Sequence, residues 1–156
     1  MVLPQARVKT NVNTIPGTDG QKMSKSYGNT IDPFAPEKEL KKEIMAIKTN
    51  STPLSQPKDP SQCAVFGLYS VLAEETQVAT LRARYLAGGY GYGQAKQALF
   101  ALILERFRTE RQHFQDYMKD HAFIEQILIA GEAKARDIAE RTLENVRAKL
   151  GYAQAM

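Results

Sequence analysis

Residues 94–119, QAKQALFALILERFRTERQHFQDYMK, decide the fold class of this chain. Apolar residues recur in this stretch every three or four positions, which places them on one side of an α-helix. They are Leu99, Leu102, Ile103, Phe107, Phe114 and Tyr117. The pattern predicts one long helix from about Gln94 to Lys119, so the fold is expected to be rich in helix.

The segments before this stretch also have helical spacing. A first helix is predicted to begin near Pro36, and a proline-rich link over residues 50–60 separates it from a second helix that ends near Leu72. A third helix is predicted over Glu75–Ala87. The glycine-rich segment Gly88–Gly93 follows a helix rather than a strand, which favours a helix–helix turn over a phosphate-binding loop.

The segments after it predict two more helices. A short helix is expected over His121–Ile129 with Gly131 as its C′ residue, and a last helix over Glu132–Leu150, ended by Gly151. The last helix is expected to bury an apolar face formed by Ala135, Ile138, Ala139, Leu143 and Val146. The fold class predicted is therefore all-α, a bundle of about six helices preceded by a short strand and loop leader. The strand signal in that leader covers Ala6–Ile15 and is weak.

Composition narrows the class of protein only modestly. The 156 residues are 43% hydrophobic and 24% charged, as in an ordinary globular domain. A net charge of +4 suits a phosphate-rich partner, although many proteins without such a partner are equally basic. No apolar run approaches the roughly 20 residues that span a bilayer. One cysteine and two histidines give no zinc-ligand spacing, so a cytoplasmic protein without a structural metal is expected.

The segment Lys22–Ser26, which reads KMSKS and is called the lysine–serine loop below, has the chemistry of a polyanion-binding site. Its two ammonium groups and two hydroxyls are hydrogen-bond donors, and lysine–phosphate hydrogen bonds are charge-assisted. Glycines on both sides, Gly17, Gly20 and Gly28, let the backbone approach a ligand closely. Composition alone favours a solvated basic loop between a strand and a helix, and only the order of the residues in the string reverses that preference.

The ordered string resembles the signature loop of class I aminoacyl-tRNA synthetases. The wider segment PGTDGQKMSKSYGNTI, residues 16–31, is similar to the version in the tryptophanyl-tRNA synthetase family. Residues 91–96 resemble that family's Gly-Tyr-Gly-x-x-Lys entry to its long helix. Residues 131–147 resemble its closing helix. The resemblance thus covers nearly the whole chain.

This resemblance implies roles for the residues of the loop. Lys22 and Lys25 would contact phosphate oxygens of ATP and stabilise the transition state for aminoacyl-adenylate formation. Ser24 and Ser26 would supply hydroxyl or backbone hydrogen bonds. Met23 would anchor the loop or lie near the adenine.

The resemblance also implies substrates, partners and a domain division. Mg²⁺ would accompany the ATP, tRNA(Trp) and tryptophan would be the other substrates, and the whole protein would be a homodimer. Residues 1–31 would be the tail of a Rossmann-type catalytic domain. Residues 32–156 would form a helical domain of the kind that binds the tRNA anticodon.

One departure from the family is large. The chain has no His-Ile-Gly-His-type motif, and the residues before the first helix are too few for a parallel nucleotide-binding sheet. The chain is therefore expected to be a C-terminal fragment whose tryptophan pocket lies elsewhere, and to be inactive alone.

Arg108 and Arg111 are the candidate tRNA contacts in the helical part. Their i, i+3 spacing puts both guanidinium groups on one helix face, where they could hold an RNA backbone. Glu105, Glu110 and Asp116 lie among them, so an ordinary mixed-charge surface is an open alternative. At the level of the whole protein, the alternatives are a fragment of the tyrosine-specific family, a non-catalytic helical RNA-binding module and a purely structural helical domain.

Overall fold

The computed structural model describes residue 5 and residues 14–152 of the chain. These residues form six α-helices and two short 3-10 helices, with no strand among them beyond an isolated bridge. The α-helices are α1 Glu37–Met45, α2 Ala64–Leu72, α3 Glu75–Ala87, α4 Tyr92–Arg106, α5 Arg108–Lys119 and α6 His121–Leu150. The predicted all-α fold is confirmed. The strand predicted over residues 6–15 lies outside the described residues except for its last two.

The chain divides into two compact units, Met1–Arg111 and Gln112–Met156. The first unit contains α1–α4 and the start of α5, and the second contains the rest of α5 and α6. The boundary predicted after residue 31 separates two functional regions, whereas the division after Arg111 separates two compact units. The functional boundary stays a prediction.

The core of the first unit forms around α4. This helix packs against α1 and α2, and α2 also packs against α3. Each fully buried aliphatic or aromatic side chain contributes about 1.5–3 kcal/mol to folding, so this cluster is the main source of the unit's stability. Its largest buried side chains are Leu40 and Ile44 of α1, Ile47, Val65 of α2, Tyr85 of α3 and Leu99 of α4.

The link between α1 and α2 folds against the glycine-rich turn that follows α3. The buried ammonium of Lys58 donates to the carbonyls of Pro53, 3.1 Å away, and Gln56, 3.3 Å away. A Cβ on Gly88 would lie 2.6 Å from the carbonyl oxygen of Ser55. Gly88 also has φ +74°, so both the close approach and the backbone conformation require glycine. The predicted helix–helix turn is confirmed, although it is shorter than the predicted residues 88–93 because α4 begins at Tyr92.

The prediction of a single helix over residues 94–119 is wrong, because the helix is interrupted at Phe107, between α4 and α5. Phe107 has φ −106° and ψ 18°, outside the α-helical range. Helical hydrogen bonds persist on both sides, from Phe107 N–H to Ile103 and from Arg111 N–H to Phe107. The ring of Phe107 lies 6.4 Å from that of Phe34. We attribute the break to this tertiary packing, which the apolar spacing does not encode.

The two helices predicted over residues 121–150 are one helix, so the prediction that Gly131 is a C′ residue is wrong. Gly131 does not have the positive φ that a left-handed C′ residue requires. Glycine costs a helix interior only about 1 kcal/mol relative to alanine, which a long helix tolerates. Gly151 does end α6, with φ 72° and a hydrogen bond from its N–H to the carbonyl of Ala148.

The apolar face predicted to be buried on α6 is exposed. Ile138 is 63% exposed and Val146 is 46% exposed, and no described residue of α6 is buried. The prediction fails because, in the described part of its own unit, α6 is accompanied only by the end of α5. Among the described residues, no helix is long and apolar enough to cross a membrane.

Candidate functional site

A tight turn leads into the lysine–serine loop. Pro16 and Lys22 form an antiparallel bridge, and the N–H of Met23 donates to the carbonyl of Ile15 over 2.8 Å. Gly20, at the tip of this turn, has φ +86°, a conformation that glycine adopts without steric cost. The turn therefore fixes the backbone at the point where the loop begins.

The loop itself combines a packed methionine with two exposed lysines. Met23 is half-buried and packs against the hydrophobic core, whereas Lys22 and Lys25 are exposed. A 3-10 helix, Lys25–Tyr27, closes the loop, and Gly28 ends it with φ 63° and a hydrogen bond to the carbonyl of Lys25. Both ammonium groups are thus available to an anion from solvent.

The two serines of the loop have different environments. Ser24 is half-buried, and its backbone N–H donates to the side-chain oxygen of Asn29 over 2.8 Å. Ser26 lies in the exposed 3-10 helix. Because the Ser24 N–H is already bonded within the loop, its hydroxyl is the group that it can offer to a ligand.

Asn29 lies beneath the loop and is 2% exposed. Its Nδ2 donates to Oδ1 of Asp19 over 2.8 Å and to the carbonyl of Lys22 over 3.1 Å. Its backbone carbonyl accepts from the N–H of Thr18 over 2.9 Å. One buried residue therefore connects the turn before the lysines with the segment after them.

The hydrogen bond from Asn29 lowers the pKa of the Asp19 carboxyl below its ordinary value of 3.8, and a bond from the N–H of Gln21 lowers it further. Hydrogen bonds to a carboxylate favour its charged form. Asp19 consequently remains an acceptor throughout the neutral pH range.

A groove of about 660 Å³ lies beside the turn in the first unit. Lys22, Lys48 and Arg82 contribute positive charge to its lining, and Asp19 contributes negative charge. The N–H of Lys48 donates to the carbonyl of Thr18 over 2.7 Å, so the turn is joined to the segment that follows α1. The groove is net positive and can accommodate an anionic ligand.

The structure does not place Arg108 and Arg111 together on an exposed face. Arg108 is exposed, but Arg111 is only 9% exposed, and its guanidinium donates to the carbonyl of Pro33. Because its guanidinium is engaged in this internal hydrogen bond, Arg111 has a structural role. Of the two arginines, only Arg108 is accessible to a partner.

Two residues of the site, Asp19 and Asn29, were not singled out by sequence reasoning. Short polar residues next to glycine predict turns, and Asp19 fits that pattern. The burial of Asn29 is a tertiary feature with no periodicity that would reveal it. Within the described residues, no cluster of three His, Cys, Asp or Glu side chains could hold a metal ion.

Comparison with known proteins assigns the fold and loop to a family. The family model described as tRNA synthetases class I (W and Y) matches residues 3–108, and the chain belongs to this family.

Within that class, several relatives are tryptophan–tRNA ligases. The tryptophan–tRNA ligase of Campylobacter jejuni strain RM1221 is 41% identical over 149 residues, which are 96% of this chain and 47% of that protein. The tryptophan–tRNA ligase of Rhodopirellula baltica is 39% identical over 150 residues, again 96% and 47%. A crystal structure of the C. jejuni tryptophanyl-tRNA synthetase complexed with ADP and tryptophan matches with a TM-score of 0.82 at 41% identity, covering 96% of this chain and 47% of that one. The chain spans about half the length of the curated relatives it matches.

Proposed function

We propose that this chain is the C-terminal part of a tryptophan–tRNA ligase, and that its lysine–serine loop binds the triphosphate of ATP. The observation that carries the proposal is the exposure of Lys22 and Lys25 on a loop whose base is held by hydrogen bonds. The C. jejuni relative, crystallised with ADP and tryptophan, supports an adenine nucleotide and tryptophan as ligands of the whole protein.

In the proposed reaction the tryptophan carboxylate attacks the α-phosphate of ATP. The bond to the β-phosphate breaks, and pyrophosphate leaves with the bonding electrons. Lys22 and Lys25 donate hydrogen bonds to the pyrophosphate oxygens as negative charge develops on those oxygens. Ser24 and Ser26 add hydroxyl donors. Donors positioned for developing charge stabilise the transition state more than the bound substrate. A ribose hydroxyl of tRNA(Trp) then attacks the carbonyl carbon of the adenylate and loses its proton, the bond from that carbon to the phosphate oxygen breaks, and AMP leaves with the bonding electrons.

Mg²⁺ enters this proposal only as part of the nucleotide. Since the described residues contain no cluster of potential metal ligands, we propose that any Mg²⁺ arrives coordinated to the phosphates of ATP. No protein side chain is assigned to the ion.

The helical part is proposed to contact tRNA(Trp) and to belong to a homodimer in the whole protein. Arg108 is the exposed candidate for an RNA phosphate. Replacing it with Gln should weaken tRNA binding and reduce the dependence of the binding constant on salt by about one phosphate contact. An unchanged salt dependence would remove Arg108 from the interface.

The role of the loop is tested in a chimaera in which the N-terminal part of the C. jejuni relative precedes this chain. Lys22→Ala or Lys25→Ala should slow adenylate formation by about 10²-fold, because a donor to developing charge contributes roughly 3 kcal/mol. Tryptophan binding should change much less. Lys38→Ala, at an exposed lysine of α1, is the matched control and should leave the rate unchanged. Equal losses in rate and tryptophan binding, or no loss of rate, would contradict the assigned role.

The purified chain by itself should show no tryptophan-dependent pyrophosphate exchange. Activation depends on holding the carboxylate in line with the α-phosphate, and this placement supplies much of the rate. The part of the chain that the structure describes contains hydrogen-bond donors for phosphate oxygens but no β-sheet of the nucleotide-binding type. Exchange above that of a Lys25→Ala control would refute this prediction.

A further inference from the structure

We infer that Asn29 is a positioning residue for the lysine–serine loop, whose side-chain amide holds the backbone from which Lys22 and Lys25 project. The inference rests on the phosphate-binding role proposed above for these lysines. Asn29 itself lies outside the KMSKS string and, at 2% exposed, is not available to a ligand.

The hydrogen bonds of the Asn29 amide define its orientation and use both of its N–H groups. The N–H of Ser24 is a donor, so it must face the oxygen Oδ1. The Asp19 carboxylate and the Lys22 carbonyl are acceptors, so both must face Nδ2. Only an amide has both the oxygen that accepts from Ser24 and the N–H groups that donate to Asp19 and Lys22. Neither an aspartate nor an apolar side chain can therefore form all three hydrogen bonds.

These bonds act on the backbone immediately around Met23. The Lys22 carbonyl precedes Met23 and the Ser24 N–H follows it, and both are held by the same side chain. Ser24 is also the residue that precedes the 3-10 helix containing Lys25. Without the amide, this segment would have more conformations to lose when it binds an anion, and binding would weaken.

The close packing of Gly17 against the Asn29 side chain is independent evidence that the amide has a fixed position. A Cβ on Gly17 would lie 2.5 Å from both Cγ and Nδ2 of Asn29. Such a separation is far shorter than van der Waals contact, so the backbone of the turn packs directly on the amide. The amide is thus enclosed on one side by the turn and bonded on the other to the loop.

The test is a ¹⁵N NMR titration of the purified chain with sodium tripolyphosphate. Asn29→Ala should weaken binding about three- to tenfold, the factor expected from ordering one or two more side chains on binding. In the Lys22→Ala/Lys25→Ala background, the same substitution should have little further effect, because it acts through the two lysines. Amide exchange of Ser24 should accelerate in Asn29→Ala, whereas that of the buried Leu99 should not.

A rescue experiment separates positioning from general destabilisation. Asn29→Asp alone places two carboxylates side by side and should loosen the loop. Combining it with Asp19→Asn restores a donor–acceptor pair between the two positions and should recover part of the affinity. If Asn29→Ala does not fold, Asn29→Asp, which keeps the volume and the acceptor for Ser24, replaces it in the titration.

Each outcome bears on one of the two proposals. Equal weakening by the Asn29 substitution with and without the lysines, or an unchanged exchange rate at Ser24, would overturn the positioning role. If the double lysine variant binds tripolyphosphate as tightly as the unsubstituted chain, the phosphate-binding proposal fails. The exchange rate of Ser24 then still reports whether Asn29 holds the loop.

Discussion

Gly17→Ala is expected to lower the free energy of unfolding of the first unit by about 2–4 kcal/mol. The new Cβ would lie 2.5 Å from Cγ of Asn29 and 2.6 Å from its backbone oxygen. Because a backbone atom is among the close neighbours, rotation of the Asn29 side chain alone cannot relieve the contact. Overpacking typically costs about 1–3 kcal/mol, and the loss of one hydrogen bond of the displaced amide adds about 1 kcal/mol. Gly17 has no positive φ, so backbone strain contributes nothing to this sum.

Urea unfolding followed by circular dichroism measures this change, with Gly93→Ala as the matched control. Gly93 lies near the start of α4, and a Cβ there would meet nothing within 4 Å. Since alanine favours a helix over glycine, the control should be neutral or stabilising by up to about 1 kcal/mol. A Gly17→Ala chain as stable as the unsubstituted one, within about 0.5 kcal/mol, would refute the packing of the turn on Asn29.

Three further predictions follow from individual side chains. Arg111→Met should lower the free energy of unfolding by about 1.5–3 kcal/mol, because it removes a charged donor from the partly buried carbonyl of Pro33, whereas Arg108→Met at an exposed position should change it by less than about 0.5 kcal/mol. Gly131→Ala should stabilise α6 by about 1 kcal/mol, measured as slower amide exchange along that helix; an accelerated exchange would contradict an uninterrupted helix. The pKa of Asp19 is lowered in the folded state, so its contribution to stability is present above the ordinary value of 3.8 and is lost as pH falls below it. Asn29→Ala should raise this pKa toward the ordinary value, which a ¹³C NMR titration of the carboxyl would detect.

The number of helices predicted from the sequence agrees with the structure over the described residues because two errors offset each other. The helical spacing of apolar residues continues across Phe107, although the helix is interrupted there. Gly131 was interpreted as a helix end, although α6 continues through it. Periodicity identifies which face of a segment is apolar. It does not detect a single residue, such as Phe107, whose dihedral angles are not helical. It also does not show that a helix can continue through a glycine, which costs only about 1 kcal/mol.

The same distinction applies to the candidate site. The lysine–serine loop was predicted because its chemistry lies in adjacent residues that form an ordered string. The burial of Arg111 depends on the carbonyl of Pro33, which is 78 residues away in the chain. The role inferred for Asn29 depends on a contact with Asp19, ten residues away across a turn. The chemistry of adjacent residues is therefore predictable from the sequence, whereas the distant residues that restrain them are identified only by the three-dimensional structure.

The site divides its residues between charge and geometry. Lys22 and Lys25 supply the cations and are exposed, while the base of the loop consists of the hydrogen-bonded pair Asp19 and Asn29 with Gly17 packed on Asn29. We expect a substitution in the base to change where the cations lie without changing how many there are. For a reaction whose charge develops at a departing phosphate, that position decides how much of the electrostatic energy is gained in the transition state. We therefore expect the base to contribute to the proposed activity by positioning the two lysines.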